Sequence, residues 1–253
     1  IAGLNPAGVP RGLAGTVLPF RYNHLEELKA IVDRSRDDLA AIVMEPIRGQ
    51  EPEDGFLEGV RDLADRSGAV LIVDEISAGL RMNTGGAHLV LGLEPDMAVF
   101  SKALGNGYPI AAIIGKGDVM ESAQRTFISS TYWTERIGPT AALATLKKHQ
   151  RLNAGARLME TGRLVQAGWR RAAAASGLEI EIGGIPPLSH FSFRHEKALS
   201  LKALFVQLML EKGFLASTLF YAMYAHEETH VARYIDAACE VMTDIRQTLD
   251  RGE

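Results

Sequence analysis

One cysteine, Cys239, occurs in 253 residues. No disulfide can close within the chain, so a cross-linked secreted scaffold is excluded and a reducing, cytoplasmic setting is expected. Cys239 falls in a helical pattern, where a buried thiol packs as a small hydrophobe. No run approaches the ~20 consecutive apolar residues of a membrane span, and the first residues lack the basic and apolar regions of an export signal. Charge is sparse as a block: Lys and Arg number 27 against 31 Asp and Glu, for a net charge of −4. The signs are interspersed, so no nucleic-acid footprint and no membrane anchor is expected. Glycine-rich nucleotide motifs (G-x-G-x-x-G, G-x-x-x-x-G-K) and the hydrolase elbow G-x-S-x-G are also missing, which leaves those classes without support. There is no internal repeat, low-complexity tract or heptad run.

Apolar residues make up 47% of the chain, enough for a substantial core in one large or two ordinary domains. Asn23-His24-Leu25-Glu26 has the form of a capping box, and Leu25, Leu28, Ile31 and Val32 follow at helical spacing, so a helix is expected from Asn23. Strands over 40–45, 69–74 and 96–101 bracket a helix near 55–67. Short apolar strands alternating with helices predict an α/β architecture, a mostly parallel sheet with helices on its faces. Pro109 to Ile114 reads as a further buried strand, and Asp118 with Glu121 repeats the capping-box spacing. Residues 137–170 are mostly helical with a break at Leu152-Asn153-Ala154-Gly155. From Gly177 the pattern changes: an alternating strand at 178–182, breakers at Gly183-Gly184 and Pro186-Pro187, then Phe191-Ser192-Phe193 and helices over 198–212 and 227–250. Strands followed by helices predict a small C-terminal α+β domain over 153–253, after a large domain over 1–152.

His226-Glu227-Glu228-Thr229-His230 matches the H-E-x-x-H string that can present two imidazoles to zinc with a glutamate as base. Glu228 puts a charge between the histidines, the string opens a helix, and no third ligand stands at a persuasive spacing. The two glutamates are better explained as first-turn acids that complement the helix dipole.

The chemistry is carried by two strand ends. Asp74 closes the run Ala69-Val70-Leu71-Ile72-Val73, and Lys102 closes Met97-Ala98-Val99-Phe100-Ser101. In open α/β sheets ligands bind at the carboxyl ends of the strands. A lysine amine there can capture the aldehyde of pyridoxal phosphate, while a carboxylate holds the pyridine nitrogen protonated so that the ring accepts electrons. An amine in water is protonated at neutral pH, so its use as a proton carrier calls for desolvation or neighbouring positive charge. The Gly105-Asn106-Gly107 turn permits close backbone approach beside it. Glu75, next to Asp74 but on the opposite face of a strand, is expected to be structural.

Around these two residues stand Glu45-Pro46, Asp74-Glu75-Ile76-Ser77-Ala78-Gly79-Leu80-Arg81 and Glu94-Pro95-Asp96, then Ser101-Lys102-Ala103-Leu104-Gly105-Asn106-Gly107-Tyr108-Pro109. This ordered set resembles the class III aminotransferases, and in particular the branch containing glutamate-1-semialdehyde aminomutase. The resemblance covers nearly the whole chain, most strongly from Ala40 to Leu146. It implies a fold-type I enzyme that uses pyridoxal 5'-phosphate to move an amino group between an amine or amino acid and a keto or aldehyde compound. Lys102 is then the catalytic and cofactor-binding lysine, Asp74 the partner of the ring nitrogen, and Ile76 the residue packed on the ring face.

The resemblance implies further that Glu45 lies in the active-site region. Thr131, in Ile128-Ser129-Ser130-Thr131-Tyr132-Trp133-Thr134, corresponds to the threonine that reaches the cofactor phosphate bound by the other subunit of a homodimer. Here Ser130 replaces the usual preceding glycine, and Trp133 and Arg136 are candidates for shaping specificity. The Gly- and Pro-rich opening, Ile1 to Gly15, reads as a connection cut partway. The family has a longer N-terminal portion that carries a phosphate loop and a stacking aromatic. Transamination, aminomutation, decarboxylation and racemisation share these parts and stay open. So does a second class of reading, a catalytically incomplete piece acting only as a structural or interaction protein.

Overall fold

A computed structural model describes residue 5, residues 7–132 and residues 134–252. Three short apolar runs form a parallel sheet in sequential order: β1 (Ala41–Met44), β2 (Val70–Asp74) and β3 (Met97–Phe100). Met44 is level with Val73, and Asp74 with Val99. A fourth strand, β4 (Ala112–Gly115), pairs antiparallel with β3 at the sheet edge. Ile42, Met44, Leu71, Val73 and Ala98 point to one face and are buried there under α1 (Leu25–Ser35) and α2 (Phe56–Ser67). The apolar residues of α2, Phe56, Leu57, Val60, Leu63 and Ala64, recur at helical spacing, which supplies the cover that this face needs. Gly68 ends α2 in the left-handed region at φ 74° and donates back to the Ala64 and Asp65 carbonyls.

The opposite sheet face is open: Val43 and Ile113 are 57% and 55% exposed, and Asp74 lies on this side. A polar clamp fixes the strand entries instead. Asp96 accepts hydrogen bonds from the Leu71 N–H (2.8 Å), from Arg61 (3.0 Å) and from Lys116 (2.8 Å). Beyond Asp74 come the short helix α3 (Ala87–Leu91), then, after β4, α4 (Gly117–Met120) and α5 (Ile137–Arg151).

The second half is a separate layer arrangement. α6 (Ala154–Ser176) leads to an antiparallel sheet of β5 (Ile180–Gly183), β6 (Leu188–Phe193) and β7 (Leu219–Tyr221), with α7 (Ala198–Glu211) between β6 and β7 and α8 (Glu228–Asp250) last. Its core joins Trp169, Phe191, Phe205, Met209, Val241, Met242 and Ile245, all at most 2% exposed. Trp169 meets Phe191 edge-on at 4.9 Å, and its indole N–H donates to the Tyr234 hydroxyl at 2.9 Å, so the one polar atom of the ring is satisfied. Ile47, Ala78 and Ala87 of the first half pack with Ile185 and Leu188 of this one, and main chains also meet at the seam. The Gly184 and Ile185 amides donate to the Gly49 and Arg48 carbonyls (3.0 and 3.2 Å), and Gly155 lies so close to the Met82 carbonyl that a Cβ would come within 2.4 Å of its oxygen.

Several expectations are corrected. Asn23 does not cap α1: it adopts φ 65°, and its side chain bonds the Glu51 carbonyl and the Glu53 amide, linking two loops across the fold. Asp118 lies inside α4, whose N-cap is Lys116, so the second capping box is absent as well. The strand after Lys102 begins at Ala112 and is an antiparallel edge with both isoleucines exposed, not a buried strand. α3 and β7 were not anticipated. Five and three residues are too short to show a period.

Burial opposes the Asp96 charge, but hydrogen bonds from Lys116, the Leu71 amide and Arg61 outweigh it and hold the carboxyl below its ordinary value. A depressed folded pKa contributes stability that is present above the unfolded value of about 3.9 and is lost as pH falls through the folded one. Asp96→Asn should therefore unfold more easily than the parent at pH 7, by about 1–3 kcal/mol. The two curves should converge below about pH 4 in denaturant titrations, and a gap independent of pH would refute the clamp.

Candidate active site

The carboxyl ends of β1, β2 and β3 bring Glu45, Asp74 and Lys102 to the same end of the sheet, because parallel strands all finish on one side. Asp74 Oδ1 accepts the Ile76 N–H at 2.9 Å, an Asx turn that fixes the carboxylate, and no protein group among the described residues hydrogen-bonds the other oxygen. Asp74 and Ile76 are half-buried while Val73, Glu75 and Ser77 are buried, so the first two share the open side. Glu75 faces inward and is 1% exposed. Its oxygens accept the Ala87 and His88 amides (2.9 and 2.8 Å), and Oε1 lies 2.6 Å from His88 Nδ1. The structural reading of Glu75 matches what the structure shows.

Lys102 opens a 3₁₀ turn, Lys102–Leu104, with φ 47°. A left-handed backbone is costly for a residue with a Cβ and persists where the surroundings enforce it. Two contacts enforce it here. Ser101 Oγ donates to the Ile110 carbonyl at 2.9 Å, and Gly105 nests against the Tyr108 carbonyl, where a Cβ would sit 2.1 Å from the oxygen. The turn aims the amine back at the Asp74 loop, and Nζ donates to Ser77 Oγ at 2.7 Å. Ser77 was not singled out from the sequence. Its only signal there is membership of the Asp74-to-Arg81 string.

Glu45 follows Met44 at the level of Asp74. Its Oε1 accepts from Arg48 at 2.9 Å, while Oε2 is buried without a partner. It lines a cavity of about 550 Å³ with Phe20, Tyr22, Val43, Arg48 and Gln50. Burial pushes the Tyr22 phenol up to about 12, and its hydroxyl donates to the Pro46 carbonyl at 2.6 Å. Thr131 stands apart from this group, in an exposed turn before α5. Arg136 is exposed as well, and Trp133 lies outside the described residues.

His149, His226 and His230 are committed to local contacts. His149 Nδ1 pairs with Thr84 Oγ1 (2.7 Å) and Nε2 with the Leu80 carbonyl (3.0 Å), and burial lowers its pKa. His226 and Glu227 precede α8, so the two imidazoles of the H-E-x-x-H string do not share a helix face. His226 Nδ1 accepts the Met223 amide and His230 Nδ1 the Glu227 amide, at 3.1 and 3.2 Å. No group of three or more His, Cys, Asp or Glu among the described residues is arranged to hold a metal. Among the described residues no helix is long and apolar enough to cross a membrane.

Comparison with known proteins identifies the family. The family model described as Aminotransferase class-III matches residues 19–217. The chain is 32% identical over 254 residues to the 3-aminobutyryl-CoA aminotransferase of Cloacimonas acidaminovorans, covering 96% of this chain and 61% of that protein. It is 32% identical over 252 residues to the glutamate-1-semialdehyde 2,1-aminomutase of Desulforamulus reducens, covering 91% and 58%. Among solved structures, a transaminase with PLP bound superposes with a TM-score of 0.85 at 24% identity, over 96% of this chain and 61% of that one. The chain thus spans about three fifths of the length of the curated relatives it matches.

Replacing Glu75 by Gln leaves one acceptor oxygen where three donors converge, and should destabilise the fold by about 2–4 kcal/mol. Equilibrium denaturation measures it. A variant as stable as the parent would show that the loop is held by something else.

Proposed function

The chain belongs to the class-III aminotransferases, and from that membership we propose that it is the pyridoxal-phosphate-binding portion of an enzyme that moves an amino group between an amine or amino acid and a carbonyl compound. One observation carries the reading: the Lys102 amine and the half-anchored Asp74 carboxylate stand at the ends of adjacent parallel strands, on the open side of the sheet.

Bound there, the cofactor supplies an aldehyde carbon that takes up amines and a ring that accepts electrons. The residues fit it. Lys102 Nζ is within reach of a group lying over the Asp74 loop, and is held by a hydroxyl rather than a carboxylate, so no ion pair has to break to free it. Asp74 has one oxygen fixed by the Ile76 amide and the other available to hold a proton on the ring nitrogen. Ile76, two residues further, would offer an aliphatic side chain to the ring face. In this reading Lys102 Nζ would also serve as the base that takes up and returns a proton at the substrate carbon, as a group placed within hydrogen-bond reach can. Glu45 lines the neighbouring wall.

Thr131 is assigned to the cofactor phosphate of the other subunit in a homodimer. Its exposure, with Phe127 and Tyr132 at 97% and 77%, supports a contact with a partner. We divide the chain into residues 1–152, the C-terminal part of the large domain, and 153–253, the small domain. The left-handed Asn153 between α5 and α6 and the two separate sheets support that boundary. The single cysteine is in keeping with a cytoplasmic enzyme. Aminomutation is the second reading, favoured by the 32% identity to the aminomutase of D. reducens.

The chain mixed with pyridoxal phosphate should develop visible absorbance, and borohydride should trap one adduct on Lys102. Lys102→Ala should leave no adduct, and Asp74→Asn should keep the adduct but lower turnover in the full-length enzyme by about 100-fold or more. An adduct that survives in Lys102→Ala, or a full-length protein that folds and stays colourless, would end the proposal.

A further inference from the structure

Behind the Lys102 turn lies a second cavity, of about 580 Å³, between that turn, α5, the start of α6 and the segment after β7. Alanines make the room: Ala141, Ala144 and Ala222 stand where larger side chains would fill it. Most of the wall is apolar, and its mouth carries Met223 and Tyr224, 54% and 48% exposed. Two cations, Arg81 and Lys148, line it, and no lining residue is an aspartate or glutamate.

Arg81 is the informative one. Its Nε donates weakly to the Ser77 carbonyl at 3.4 Å, and its guanidinium lies 5.9 Å from the Tyr221 ring centroid. No carboxylate among the described residues lies within ion-pair distance of it, whereas Arg48 has one and Arg61 and Arg157 have two each. Burial lowers its pKa, the sign of a cation removed from water without a compensating anion. The wall also carries Lys148, Tyr108, Tyr224 and His149; the His149 ring is committed to Thr84 and Leu80, so it does not compete for a ligand. A desolvated guanidinium with free donors and an apolar chamber beside it is complementary to an anionic head on a short apolar body.

We propose that this cavity binds a small monocarboxylate with an apolar chain, its carboxylate held by Arg81 with Lys148 at the rim and its chain between α5 and Met223. Because Arg81 and Lys102 hold the same residue, Ser77, through its carbonyl and its hydroxyl, the site adjoins the amine without containing it. The proposal rests on this geometry alone. Trapping of a cofactor at Lys102 can fail without touching it.

Calorimetric titration of the cofactor-free chain with hexanoate tests it. Hexanoate should bind one to one, while hexanol and hexylamine should bind far more weakly. Arg81→Met should weaken hexanoate by about tenfold or more. Ala144→Leu, at an exposed helix position, should weaken it by filling the chamber and leave stability unchanged. If Arg81→Met fails to fold, the Ala144→Leu and hexanol comparisons still decide. Absent hexanoate binding to the parent, hexanol binding equal to hexanoate, or undiminished binding to Ala144→Leu would overturn the proposal.

Discussion

The geometry at the end of β2 depends on a buried carboxylate that takes no part in the proposed chemistry. Glu75 is sealed from water, and a charge in that position is tolerable only because two backbone amides and an imidazole converge on it. Those donors belong to the start of α3, twelve residues further along. The bonds therefore close the loop after Asp74 into a rigid bracket. Because side chains alternate along a strand, anchoring Glu75 inward turns Asp74 outward. The inward residue sets the direction of the outward one.

The second constraint acts on the lysine. A left-handed backbone at Lys102, supported by the Ser101 hydroxyl and by the space that Gly105 leaves, bends the chain so that the amine returns to the loop after the neighbouring strand. The strain at one residue is repaid by the packing of the next several. Amine and carboxylate then stand on different strands, each with its own partner, Ser77 for the amine and the Ile76 amide for the carboxylate, as the proposed grip on opposite ends of one flat ring requires.

The two halves of the chain obey different packing rules. The parallel sheet buries one face under α1 and α2 and leaves the Asp74 face uncovered, while the C-terminal half closes its own aromatic core around Trp169 and Phe191. They are joined by the apolar cluster of Ile47, Ala78, Ala87, Ile185 and Leu188 and where backbone approaches backbone, at Gly155 against Met82 and at Gly184 and Ile185 against Gly49 and Arg48. Small residues at these seams let main chains meet. The cavity beside Arg81 opens along the same seam, next to the joint between α5 and α6.

From the sequence alone the alternating pattern of strands and helices, the break near Asn153 and the placing of Asp74 and Lys102 at strand ends could be read, since periodicity and strand termination are local properties. The family could be read too, from strings of residues that are contiguous. What stayed hidden was decided by residues far apart in the chain. Asn23 had the form of a cap and became a bridge to the loop at 51–53, because tertiary contacts offered its amide better partners than the helix did. Pro109 to Ile114 looked buried and became an exposed edge, because apolar runs do not reveal how many strands lie beside them. Ser77 meets Lys102, and Arg81 meets Tyr221, only in the folded chain. A hydrogen bond spanning 25 residues, like an arginine with no carboxylate within ion-pair distance among the described residues, is a property of the assembled core, and no local spacing encodes it.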